Sequence, residues 1–134
     1  MNEKLRRFVR RRAQLRCEYC GLSEADARTT THHVEHIVAR KHRGPTRPSN
    51  LALARHRCNF LKGTDLSGVD PRTGKLTKLF DPRRHCWKHH FRWDGFEIIG
   101  RTAIGRTTIE VLGMNDNYCI RLRRSLAESG RFPW

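Results

Sequence analysis

The sequence predicts an α+β protein, and three observations predict it. A strand, loop, strand, helix order runs from Thr31 to Gly63, a basic amphipathic helix precedes it, and helical and extended patterns mix in the C-terminal half. At 134 residues one domain is expected, 1–134, with a core over 16–63 and an accessory extension over 64–134.

Leu5, Phe8, Val9 and Leu15 recur at near-helical spacing while Arg6, Arg7, Arg10, Arg11 and Arg12 cover the remaining surface, which makes the N-terminal segment a short basic helix. Cys17 and Cys20 form a CxxC, and Gly21 behind them suits the tight turn of a zinc knuckle. β-branched residues between Thr31 and Ala39 predict a strand. The loop after it carries Gly44, Pro45 and Pro48, and LALA (51–54) reads as a second short strand returning beside the first. RHRCNFLKG then reads as a short helix, stopped by Gly63 with Lys62 in its last turn.

Beyond it, DPRTG sets a turn between two short extended pieces, a hairpin or a wrapping loop. Trp87, Phe91, Trp93 and Phe96 are expected in a small core, and FEIIG is a strand candidate. IGRTTIEVLGMN fits helix or strand by periodicity, and Gly113 favours the helix. NYCIRLRRSLAESG is expected to be the last helix, capped near Asn117, with Ile120, Leu122 and Leu126 available for burial.

Lys and Arg number 28 against 13 Asp and Glu, a formal charge of +15 spread from Arg6 to Arg131. Such an excess on a small body favours a polyanionic partner, of which nucleic acid is the commonest. No apolar run approaches the ~18 residues of a membrane span, and no apolar stretch follows the first positive charges. A soluble, cytoplasmic protein without membrane contact is expected. Five cysteines, an odd number, argue against a secreted disulfide framework and make metal ligation the better reading of the CxxC.

THHVEHIV (31–38) sets three histidines and a carboxylate into one apolar strand, a composition suited to metal and proton chemistry. His36 is followed after 14 residues by Asn50, and Asn50 after 9 by Asn59. The parts CEYCG, HVEHIVAR, PSNLALA and CNFLKG resemble, in order and spacing, those of the HNH endonuclease family of ββα-metal or His-Me finger nucleases. The resemblance runs from about Arg16 to Gly63, and the later DPRTGKLTKLF, PRRHCW and HFRWDG resemble more loosely the downstream part of small stand-alone HNH proteins.

That resemblance implies a metal-dependent endonuclease hydrolysing DNA phosphodiester bonds to 5′-phosphate and 3′-hydroxyl ends, with RNA left open as a substrate. A neutral imidazole can activate water at cellular pH, and His36 is the expected general base. Glu35 and Asn59 are expected to offer oxygens to one Mg²⁺ or Mn²⁺, which stabilises the leaving 3′ oxygen. Neighbours on a strand point to opposite faces, so the strand must end or bulge for Glu35 and His36 to share a site. His33 is a candidate further ligand that shifts the preference toward a first-row ion, zinc included, while His32 is expected to be exposed. Asn50 looks like the family's middle asparagine, holding the base histidine across the loop, and completes the catalytic set with His36 and Asn59.

Arg55 stands where many HNH proteins carry the first cysteine of a second pair. Three zinc readings stay open: Cys17, Cys20 and Cys58 with His56; the same thiols with a distant Cys86 or His85; or a lost site. HxC spacing on a helix puts His56 and Cys58 about 200° apart, which weighs against the first. Arg40, Lys41, Arg43 and Arg47 in the loop, and Lys62 on the helix, are candidate phosphate contacts. The competing reading is a non-catalytic zinc-ribbon nucleic-acid-binding module.

Overall fold

The computed structural model describes residues 1–134, which form two compact units. The first comprises Met1–Leu66 and Asp81–Arg84, the second Ser67–Phe80 and His85–Trp134.

In the first unit, helix α1 spans Glu3–Arg12. The Asn2 side chain accepts from the Leu5 N–H at 2.8 Å, and Arg10, Arg11 and Arg12 in the last turn oppose the negative end of the helix dipole. Its buried stripe is narrower than the sequence suggested. Val9 is sealed against Leu51 and Leu53 with Leu5, Ala13 and Val34 beside it, whereas Phe8 and Leu15 are exposed. Leu5, Val9 and Ala13 stand four apart on one line of the helix. Phe8 falls off that line, with the Arg12 guanidinium over its ring at 5.3 Å.

Strand β1 (His33–His36) pairs antiparallel with β2 (Leu51–Ala54), His36 opposite Leu51 and His33 opposite Ala54. Every residue of β2 is buried, as expected of a strand covered on both faces. Helix α2 (His56–Lys62) follows at once and ends at Gly63, whose φ of 53° suits glycine. The expected strand, loop, strand, helix order is thus present, with β1 shorter than the segment predicted for it.

In the second unit, β3 (Ser67–Val69) and β4 (Leu76–Lys78) form a hairpin around the DPRTG turn. Asp70 organises that turn: its carboxylate accepts from the Arg72 N–H and the Thr73 hydroxyl, and takes two bonds from Arg106 at 3.0 and 2.9 Å. A short helix α3 (Trp87–His90) leads into a second hairpin, β5 (Phe91–Asp94) and β6 (Glu97–Gly100). Helices α4 (Ala103–Leu112) and α5 (Asn117–Glu128) complete the unit. IGRTTIEVLG is therefore helical, stopped by Gly113 in the left-handed region. Of the expected contributors to α5, Leu126 is buried.

Candidate active site and metal centres

The CxxC turn is built by the backbone. The Cys17 N–H donates to the Leu22 carbonyl and the Gly21 N–H to the Cys17 carbonyl, both at 2.9 Å, with Gly21 at a φ of 84°. Cys58 lies in the first turn of α2, and the sulfurs of Cys17, Cys20 and Cys58 lie within 4.8 Å of one another, all buried. Zinc–sulfur bonds of about 2.3 Å on a tetrahedron separate sulfurs by about 3.8 Å, so small shifts let these three hold one metal ion. Cys20 ionises most readily, because Cys17 and Cys58 direct their thiols to it and the Arg55 charge is near, and its pKa lies well below the usual thiol value. Burial pushes Cys17 up to about 12, and Cys58 is also held high, by its thiol bonds to Cys17 and Cys20 and by burial. One thiolate is tolerated in this interior; three require a cation.

No other group of three or more His, Cys, Asp or Glu draws its ligand atoms together. His56 is not part of the thiol group, for the helical reason already given: two residues from Cys58 on α2, it emerges on a different side, exposed. Cys86 and His85 belong to the second unit and are not in the group either.

His36 ends β1. The Ile37 N–H still donates to the Asn50 carbonyl at 2.8 Å, and then the chain leaves the sheet. The His36 ring is partly exposed, with Nε2 2.8 Å from the Thr46 hydroxyl. Its pKa is lowered, first by partial burial and then by the nearby Arg40 charge and the N-terminal amine, which keeps the imidazole neutral. Asn50 is buried and clamps the loop that begins here. Its Oδ1 accepts from the Val38 N–H at 2.9 Å, while Nδ2 donates to the Val38 carbonyl at 3.0 Å and the Pro45 carbonyl at 2.9 Å. The backbone two residues past His36 is thereby fixed. Gly44 lies under the same clamp, and a Cβ there would collide with the Val38 carbonyl.

Glu35 points the other way, into the interior. One carboxylate oxygen accepts from the Tyr19 hydroxyl at 2.9 Å and the other faces the Lys62 ammonium at 3.3 Å. Burial raises its pKa despite the lysine. Lys62 corrects the expectation of a phosphate contact: it is 2% exposed and donates to the Ile37 carbonyl at 2.9 Å. The last turn of α2 faces the hairpin, so its ammonium is consumed inside the unit. His32 is likewise buried, its Nε2 2.8 Å from the Leu22 carbonyl and its Nδ1 without a partner. His33 is exposed, and its Nε2 lies 3.1 Å from His56 Nδ1 across the gap between β1 and α2. Asn59 follows His56 by three residues, on the same face of the helix. Arg40, Lys41, Arg43 and Arg47 are all exposed, three of them in or beside the 3₁₀ turn Arg40–His42.

Sequence reasoning missed Tyr19 and Arg55. Tyr19, between the two knuckle cysteines, is fully buried with its hydroxyl on Glu35.

The first unit thus brings together a β-hairpin backed by a helix, a buried three-thiol knuckle beside it and an imidazole at the hairpin's mouth. Residues 17–65 match the family model described as HNH endonuclease, the segment that holds the hairpin, the helix behind it and the three thiols. No curated protein and no solved structure matches the chain. No helix is long and apolar enough to cross a membrane.

Proposed function

We propose that the chain is a metal-dependent endonuclease that hydrolyses DNA phosphodiester bonds with His36 as general base. One observation carries this reading: within the segment that matches the HNH model, a neutral, accessible imidazole sits at the end of β1, and a buried asparagine clamps the loop immediately after it. His36 accepts a proton from water, which attacks phosphorus in line with the departing 3′ oxygen. Asn50 fixes the ring's backbone, and Thr46 orients the imidazole before substrate arrives. Arg40, Lys41, Arg43 and Arg47 neutralise flanking phosphates. A divalent ion, when bound, supplies charge stabilisation at the leaving oxygen. His33 and Asn59 are the donors proposed for it, and Glu35 would have to release Tyr19 and Lys62 to join them.

The three thiols are proposed to hold a structural zinc. Zinc with three thiolates carries one net negative charge, and the Arg55 cation near Cys20 offsets it.

The test is plasmid cleavage with Mg²⁺ or Mn²⁺ against a chelator control. His36→Ala is expected to abolish cutting while the circular dichroism spectrum and DNA binding persist. Metal-dependent cutting by that variant would overturn the mechanism.

A further inference from the structure

We infer that His33 and His56 form a two-imidazole site for a later first-row divalent ion, Co²⁺, Ni²⁺ or Zn²⁺, in preference to Mg²⁺. The two facing nitrogens are 3.1 Å apart. Ligand nitrogens about 2.0–2.1 Å from a metal lie about 3.4 Å apart on a tetrahedron and about 3.0 Å apart as cis ligands of an octahedron, so the pair already stands at ligand spacing. A direct N–H···N contact uses one lone pair of the two; a cation between the rings uses both.

The spacing is set by the fold rather than by flexible side chains meeting at the surface. His33 is locked into β1 opposite Ala54, and His56 opens α2, which is pinned to the β1 end by Lys62 on the Ile37 carbonyl. The His56 ring also stacks on Phe60, centroids 6.3 Å apart and planes 21° from parallel. Both imidazoles are exposed, leaving coordination positions for water or a phosphate oxygen, and Asn59 is one helical turn on. The ion preference follows from the donors. Glu35 shares the His33 face of β1, but both its oxygens are occupied by Tyr19 and Lys62, so the pair gains no carboxylate. Imidazole without carboxylate suits the later first-row ions and not magnesium.

Only the catalytic use of this ion rests on the nuclease reading; the binding site does not. The experiment reads binding without substrate. Chelator-stripped protein is given one equivalent of Cd²⁺, which favours the thiols, and then titrated with Co²⁺ while visible absorption is recorded. One further equivalent of Co²⁺ is expected to bind with nitrogen and oxygen bands, lacking sulfur charge transfer, and to resist excess Mg²⁺. His33→Gln and His56→Ala are each expected to weaken that binding by roughly tenfold or more, with far-UV circular dichroism and melting unchanged. A wild-type protein that takes up no Co²⁺ beyond its Cd²⁺-filled thiols, or variants that bind as wild type does, would overturn the site. Absence of cleavage with every ion overturns the nuclease reading and leaves the cobalt result standing.

Discussion

Glu35 and Lys62 show how one residue's role is decided by a partner the local sequence does not reveal. From its place near the end of α2, Lys62 reads as a phosphate contact, yet its ammonium is buried against a carboxylate 27 positions away. Removing one member of a buried pair strands the other charge, so Lys62→Ala is expected to cost about 3–5 kcal/mol, measured by denaturant unfolding. Arg40→Ala is expected to lower stability little and DNA affinity more. His36 is partly accessible, because a histidine ending a strand needs only the chain's exit to reach solvent. Its depressed pKa keeps it unprotonated to lower pH than a free imidazole. The acid limb of kcat/KM should therefore fall below about pH 6.5, and a limb above that value would count against His36 as base.

Elements were legible where turn chemistry and periodicity agreed. LALA and RHRCNFLK stand where the sequence places them, and the DPRTG turn, open between a hairpin and a wrapping loop, closes a hairpin, since glycine stops and Asx turns act over a few residues. What escaped was facing. α1 buries the line of Leu5, Val9 and Ala13 rather than Phe8 and Leu15, because β2 presents only Leu51 and Leu53 to it. The loop between β1 and β2 depends on one glycine. Gly44→Ala is expected to displace the Val38 backbone and loosen the Asn50 clamp, lowering kcat of the proposed nuclease more than the melting temperature. In the other hairpin, Arg106 holds the Asp70 carboxyl well below the usual carboxylate range. A depressed acid stabilises the fold above its unfolded pKa of about 3.9 and ceases to do so as pH falls through the folded value. Acid unfolding followed by circular dichroism should lose this contribution in Asp70→Asn, whose stability varies less with pH below about 4.

For the whole molecule, a formal +15 makes nucleic-acid affinity a matter of ion release. The logarithm of the binding constant should fall steeply and linearly with that of salt, and neutralising Arg43 or Arg47 should reduce the slope by about one each, measured by fluorescence anisotropy. Composition alone motivates this expectation. It did not convey that Asp81–Arg84 belongs to the first unit, where Arg83 reaches the Glu18 carboxylate and Glu18 in turn accepts from the Leu53 N–H. The HNH segment is consequently no self-contained cassette. Clipping the chain after Leu66 would spare all the residues proposed to react with DNA and still undo an ionic clasp on the knuckle. Any graft of this domain onto another protein has to bring a distant tetrapeptide along.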